Sequence, residues 1–498
     1  MDLSGYFSTM WADLPAIFSM LIVGLAGLVI VLVEAFRNKH RSIPYIAGGA
    51  LALGMLWEVF QLGTPSETAF FDQIRTGGYA AYINLLVLGA GLFTVILSPS
   101  YLRRMGRNYG EVYALLLFST VGMIMLATSN TLISIFVGLE TMSVCLYILA
   151  GLLRDDAGGI ESAFKYFLLG AFSTGFFLYG MALMYGTTGT MYLPEMAGAF
   201  PDGATPLFWT GVGLLLVGFG FKVSAAPFHM WTPDVYQGAP TTLTGYMSTA
   251  SKAAAFASLI LVLFFALPPE QWSLVLAVLA LITMAVGNIM ALRQSNVKRM
   301  LAYSSIAHAG YIFVALASGT TAGYSGALFY LLVYTIMNLG AFGVLALLEW
   351  DGKAGREQTL DSLAGVGLKR PVLGASMAVF MFSLIGFPPF GGFIGKYFIF
   401  APAVSAGLTW LVIIGLLFSA LSGYYYLRVI YVFYMQSADE VEAAKQVPAG
   451  AFSNLSVSST AAIAVCAVLL LVLGVAFTGV AGAAESLFVQ AGAMAATP

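Results

Sequence analysis

Apolar runs long enough to cross a lipid bilayer follow one another along almost the whole chain, and that leaves few architectures open. A helical span needs about 20 apolar residues. About 14 such segments are readable, at 14–36, 43–62, 78–98, 110–128, 130–153, 162–187, 206–236, 241–267, 271–292, 297–318, 324–349, 371–405, 407–435 and 458–480. Composition points the same way: 60% of residues are hydrophobic and 9% charged, against about 25% charged in a soluble domain. The expected fold is an all-α integral membrane protein with no soluble domain. The longest polar stretches are 350–370 and 436–457. The start, MDLSGYFSTMWADLPA, is acidic and lacks a basic n-region, so a cleavable signal peptide is not expected. A net charge of −2 leaves no electrostatic footprint for nucleic acid.

The basic residues test this segmentation. Of the 21 Lys and Arg, most follow odd-numbered spans: Arg37, Lys39, Arg41, Arg103, Arg104, Arg107, Arg154, Arg293, Lys298, Arg299, Lys353, Arg356, Lys369, Arg370 and Lys445. Loops after even-numbered spans hold Arg75 alone, and Lys165, Lys222, Lys252, Lys396 and Arg428 fall inside spans. Such an asymmetry is the positive-inside pattern, with odd-to-even loops in the cytoplasm and both termini outside.

Two spans are too long to be straight. Residues 371–405 as one helix would reach about 52 Å, against a hydrocarbon core of about 30 Å, and 206–236 is similar. Both carry interior proline, Pro227 in one and Pro388 and Pro389 in the other. Interior proline deletes a backbone hydrogen bond and clashes with the preceding turn. Freed backbone at that depth survives only against protein or water. Broken spans at the seventh and twelfth places predict two five-helix repeats, spans 4–8 (110–267) and 9–13 (271–435), inverted because five is odd. A three-span unit (1–109) precedes them, and a loop with one last span (436–498) follows, all in one membrane domain.

An ionisable group in mid-membrane costs roughly 2.5–3.5 kcal/mol, so each needs a reason. Glu140 lies near the middle of span 5, and Lys252 sits about three turns into span 8 among Ser, Thr and Ala. Small residues let helices approach and water enter, and burial disfavours a charged ammonium, which suits a proton carrier. Lys222 and Lys396 stand beside the two breaks. His308 lies in span 10 with Ser304, Ser305 and Tyr311 at helical spacing, a possible polar wire. Lys165 is about a turn inside span 6, where its stem can snorkel. His229 follows Pro227 and is expected to satisfy the break. Glu34 and Glu58, near span ends, read as interfacial. As a set, Glu140, Lys222, Lys252, His308 and Lys396 make a lateral row of protonatable groups, suited to moving protons or exchanging them for a small cation. Cys145 and Cys466 cannot hold an iron–sulfur cluster, which takes four ligands. The histidines lack metal-ligand spacing, and GGFIGKY has the wrong spacing for a phosphate loop. No nucleotide, flavin or metal site is expected in this chain.

Three stretches carry a resemblance: FKVSAAPFHMWTPDVYQGAPTTLTGYMSTASKAA (221–254), NVKRMLAYSSIAHAGYIF (296–313) and GFPPFGGFIGKYFIF (386–400). They are similar to the antiporter-like membrane subunits of respiratory complex I, over about residues 110–435. WTPDV at 231–235 matches the N type, where the M and L sisters usually write WLPDA, and the long C-terminal lateral helix of the L type is not expected here. The resemblance implies that Glu140 pairs with Lys222, that Lys165 tunes the pair, and that Lys252 is the central lysine. It implies that His308 is the linker and Lys396 the exit residue, a place where the M type has glutamate. It also implies redox-driven proton pumping in a bacterial inner membrane. NADH, FMN, iron–sulfur clusters and quinone belong then to partner subunits, and the neighbours are the M subunit and the small K, J and A subunits. Two other readings stay open on residues alone: a cation/proton antiporter subunit of the Mrp type, and a self-contained secondary transporter.

Overall fold

The computed structural model describes residues 3–36, 41–199, 205–267, 269–349, 358–437 and 455–477, with positions 479 and 482. Arg37, Lys39, Lys353, Arg356 and Lys445, used above to orient the spans, lie outside the described residues. In chain order the helices are α1 (Leu3–Asp13), α2 (Phe18–Phe36), α3 (Ile43–Gln61), α4 (Gly78–Arg104), α5 (Gly110–Thr128), α6 (Leu132–Ala150), α7 (Ala157–Thr188), α8 (Leu193–Gly198), α9 (Pro206–Val223) and α10 (Thr232–Gly238). They continue as α11 (Thr241–Phe265), α12 (Pro269–Ala291), α13 (Val297–Ala317), α14 (Thr321–Leu348), α15 (Val366–Lys369), α16 (Pro371–Ile385), α17 (Gly391–Ser405), α18 (Thr409–Tyr434) and α19 (Val457–Val475). One small antiparallel hairpin, β1 (Thr68–Ala69) and β2 (Ile74–Arg75), joins α3 to α4.

Among the described residues, 13 helices are long and apolar enough to cross a membrane. The other predicted span, 371–405, is two helices of 15 residues each, α16 and α17. The seventh predicted span is likewise α9, a break, and the short α10. Both breaks begin with the same device. Ser224 closes α9 in the left-handed region at φ 64°, and Gly386 closes α16 at φ 87°. Ala225 N–H then donates back to Gly220 O at 2.7 Å, and Phe387 N–H to Phe382 O at 3.0 Å. Each is a six-to-one closure that uses a carbonyl the helix end leaves free. Proline follows three residues after each left-handed residue, so the helix cannot restart at once.

Helix burial separates lipid-facing from central spans. The apolar windows of α11 and α13 are 94% and 100% buried, whereas those of α2 and α7 are 22% and 33% buried. Central helices can therefore carry groups that lipid would reject. Close approach depends on glycine at two matching places. A Cβ on Gly122 of α5 would lie 2.4 Å from Met142 N, and one on Gly287 of α12 would lie 2.4 Å from Ala307 N. These pack α5 on α6 and α12 on α13.

Glu58, near the end of α3, is 5% exposed, accepting from Ser19 Oγ at 2.5 Å and Asn84 Nδ2 at 3.1 Å inside the α2–α3–α4 unit. Glu34 is buried as well. Near-terminal position on a helix places a residue along the membrane normal; it leaves open which neighbour covers it.

Candidate functional site

The central helices bring Lys252 and His308 into one buried network. Lys252 is 2% exposed on α11. Its Nζ donates to Ser305 O at 2.9 Å and also to Ser305 Oγ on α13. The adjacent Ser304 Oγ lies 2.5 Å from Tyr426 Oη on α18. Tyr426 Oη lies 3.0 Å from His308 Nε2, and Tyr330 Oη on α14 lies 2.5 Å from His308 Nδ1. Both imidazole nitrogens are thus held by phenols, one acting as donor and one as acceptor in the neutral ring. Such an array of hydroxyls and an imidazole can relay a proton by successive donor–acceptor exchange.

Lys396 closes the row near the second break. Its Nζ, on α17, reaches back to the carbonyls of Leu384 at 3.1 Å and Ile385 at 2.7 Å, and to Ser419 Oγ at 2.6 Å. Those carbonyls end α16, where the helix dipole favours a cation. Tyr311 sits between His308 and Lys396. Its ring is 5.5 Å from the imidazole and 5.0 Å from the ammonium, and its Oη accepts from Asn288 Nδ2 at 3.2 Å. Tyr311 therefore meets the row by ring contact, and hydrogen bonds also link it through Asn288 and Tyr425 to Tyr426, the partner of Ser304.

The first break is arranged differently from expectation. Among the described residues no ion pair joins Glu140 to Lys222. Lys222 Nζ, 5% exposed, donates to Ser143 Oγ at 2.7 Å and Tyr147 Oη at 3.2 Å, while Glu140 Oε1 accepts from Thr174 Oγ1 at 2.7 Å. Positions 140, 143 and 147 share one strip of α6. Lys222 meets the end of that strip nearer Tyr147, and half-buried Glu140 turns to α7. Lys165 is also elsewhere: its Nζ pairs with Asp234 and Glu161, each at 2.5 Å, and Asp234 pairs in turn with Arg299 at 2.7 Å. It ties α7 to α10 and α13 instead of touching the Lys222 group.

At the first break the His229 ring bonds to the Pro227 backbone while its Nδ1 is buried without a protein partner, and Ala226 N–H donates to Thr283 Oγ1 at 3.0 Å and Trp231 Nε1–H to Phe221 O at 2.9 Å. Pro227, Pro388 and Pro389 lie on the outer surface of the chain. Sequence reasoning missed Ser143, Tyr147, Tyr330, Ser419 and Tyr426. Only Ser143 and Tyr147 had a local signal, their three- and seven-residue spacing from Glu140.

A helical bundle with two broken spans and a buried Lys–Ser–Tyr–His row defines the antiporter-like class of membrane subunits. A family profile described as "NADH:quinone oxidoreductase/Mrp antiporter, TM" matches residues 129–422. The NADH-quinone oxidoreductase subunit N of Salinibacter ruber is 63% identical over 100% of both chains. That of Trichlorobacter lovleyi is 47% identical over 86% of this chain and 89% of its own. A chain of Thermus thermophilus respiratory complex I superposes with TM-score 0.80 at 37% identity, covering 93% of this chain and 98% of that one. A chain of the Mrp complex of a Dietzia species shares the fold, with TM-score 0.84 at 18% identity over 96% and 97% of the two chains. The chain belongs to the NADH:quinone oxidoreductase/Mrp antiporter membrane family, and within it to the subunit N relatives.

Proposed function

We infer that this chain is the proton-translocating N subunit of a bacterial NADH–quinone oxidoreductase. It moves protons along the buried row while electrons pass from NADH to quinone in partner subunits that hold the FMN and iron–sulfur clusters. The observation that carries this is the buried series in which Lys252 bonds Ser305, the adjacent Ser304 bonds Tyr426, and Tyr426 bonds His308, each of these side chains enclosed by the bundle. Lys396, at the second break, is the outlet. Glu140, Lys222 and Lys165 are the input end. The open Glu140–Lys222 arrangement belongs to a cycle in which closing and opening that pair changes the charge felt by Lys252. A unit charge brought to about 10 Å acts with about 1.7 kcal/mol at an effective dielectric of 20, more than tenfold in proton occupancy.

The outward prolines support a place between other membrane subunits, the M subunit and the small K, J and A subunits. Irregular backbone is not tolerated against lipid, so protein or protein-held water is expected to cover both breaks. The two repeats, 110–267 and 271–435, are supported by the matched helix closures and by the matched α5–α6 and α12–α13 glycine contacts. The bias of basic residues supports termini on the periplasmic side of the inner membrane. An Mrp-type antiporter subunit remains the alternative, since it shares the fold. Copurification with flavin and iron–sulfur subunits separates the two.

Lys252→Ala in membrane vesicles tests the reading, with NADH–quinone turnover and proton uptake measured together. Loss of coupled turnover is expected. Normal quinone reduction with normal pumping refutes the assigned row.

A further inference from the structure

Glu349 is a buried carboxylate that the row does not use. It follows the last residue of α14 and is 1% exposed. Tyr101 Oη on α4 donates to its Oε1 at 3.0 Å, and Thr241 Oγ1, at the first position of α11, donates to its Oε2. Thr241 N–H donates in turn to Tyr101 Oη at 3.1 Å. Cationic groups frame this site. Arg104 on α4 donates to the carbonyls of Leu347 at 2.9 Å and Ala346 at 2.7 Å, and Lys298 of α13 donates to Ala239 O at 3.0 Å, two residues before Thr241. A cavity of about 400 Å³, lined by Ser100, Arg103, Arg104, Leu347 and Ser456, adjoins the same end of α14. Acidic side chains are almost never fully buried unless their charge is met or their proton retained.

A polar strip leads inward from Glu349. Phe342, Asn338, Tyr334 and Tyr330 succeed one another on α14 at four-residue steps, which keeps them on one side of the helix. Asn338 Nδ2 donates to Ser248 Oγ of the Lys252 helix at 2.7 Å and to Tyr334 Oη at 3.0 Å. The Tyr334 ring packs 5.3 Å from His308, and Tyr330 bonds to it. Phe342 interrupts the strip. It is 0% exposed, with its ring 6.3 Å from that of Tyr236 and its Cβ against Gly245. Two buried polar atoms near this point of the seam have no protein partner: Asn338 Oδ1, four residues before Phe342 on α14, and Thr242 Oγ1, three residues before Gly245 on α11. Buried polar groups are nearly always bonded, and water supplies the bond where protein does not. Glu349 and Asn338 are eleven residues apart, about 16 Å along the axis or half the bilayer core.

We propose that Glu349 is the cytoplasmic proton-loading group of this subunit, feeding the His308–Lys252 network along the α11–α14 seam past Phe342. The inference rests on the reading of the row as a proton path. The carboxylate binds a proton from cytoplasmic water and releases it to water in the seam. It returns to carboxylate as neutral His308 or Lys252 takes the proton up, and no electron moves. Phe342 keeps the two halves apart until water bridges them.

The assembled complex in vesicles supplies the test, with Glu349→Gln, Glu349→Asp and Lys252→Ala compared. In Glu349→Gln the amide oxygen can accept from one of Tyr101 and Thr241 and the amide N–H can donate to the other hydroxyl, which turns to accept, so a purely structural cap survives that change. Glu349→Gln is expected to slow coupled turnover by about tenfold or more, as for loss of a positioned proton-transfer group. Glu349→Asp is expected to restore most of it, with a displaced pH profile. If Lys252→Ala is slow and Glu349→Gln is normal, the loading role is refuted while the row stands. If Lys252→Ala is normal, the row itself fails. Equal slowing by Gln and Asp with an unchanged pH profile assigns Glu349 to structure and also refutes the proposal. Where Glu349→Gln does not assemble, Phe342→Ala carries the test: it removes the ring and touches no polar atom. Faster proton leak through resting vesicles is expected, and an unchanged leak overturns the seam.

Discussion

Lys396→Met replaces an ammonium with an apolar chain of similar length, and the structure sets what is lost. Two carbonyls, of Leu384 and Ile385, end α16 and receive the Lys396 Nζ at 3.1 and 2.7 Å. Ser419 Oγ also donates to Ile385 O at 3.2 Å, so the Ile385 carbonyl keeps one partner while that of Leu384 loses its side-chain donor. A buried acceptor left unpaired costs about 1–3 kcal/mol, and each charge-assisted bond contributes about 1.5–3 kcal/mol. Counting only the Leu384 carbonyl left unpaired, the variant is expected to lose about 1–3 kcal/mol of local stability at the break, together with proton release. Thermal denaturation of the purified complex and proton pumping in vesicles read the two effects. The M-type glutamate at this place suggests that Lys396→Glu is tolerated better than Lys396→Ala. The geometry restricts this: a carboxylate among two carbonyls is accepted only when protonated, so Lys396→Glu is expected to recover as pH falls. A Met variant that melts and pumps as the parent does, or a Glu variant with full activity in alkali, refutes the reasoning.

Gly386→Ala is expected to open the second break at a cost of about 1–3 kcal/mol for a side chain forced into the left-handed region. Its Cβ would also lie 2.8 Å from Lys396 Cδ; a melting temperature equal to the parent's would contradict this. Tyr426→Phe removes the one hydroxyl shared by Ser304 and His308. It is expected to slow pumping with little change in the distant quinone chemistry when the membrane is uncoupled, and unaltered pumping would show that the Ser304 branch is not used. Asp234→Asn leaves Lys165, whose side chain is 38% exposed, paired with Glu161 alone and takes the carboxylate from Arg299. Stability is expected to fall by less than about 1 kcal/mol, as for other partly exposed ion pairs, while coupled turnover changes. A large drop in melting temperature with normal turnover would make the cluster a structural clasp only.

Local composition decided much of this protein before any packing was known. Runs of apolar residues set the spans, because a bilayer imposes one length on every helix that crosses it. Proline in runs too long to be straight marked the two breaks. Isolated charges at mid-span marked Lys222, Lys252, His308 and Lys396 as groups that cannot face lipid, and all four are buried. Partner choice was a different matter. Tyr426 and Tyr330 reach His308 from 118 and 22 residues away, and nothing in their own segments distinguishes them from other membrane tyrosines. The expected Glu140–Lys222 pair is open because the rotation of α6 against α9 presents Ser143 and Tyr147 to the ammonium. Lys165 turns to Asp234 because α10 lies against α7. A sequence determines the face and depth of a side chain through helical period and span length, which are properties of one segment. Which neighbour that side chain meets depends on how separate helices rotate and slide against one another, and only the assembled bundle decides that.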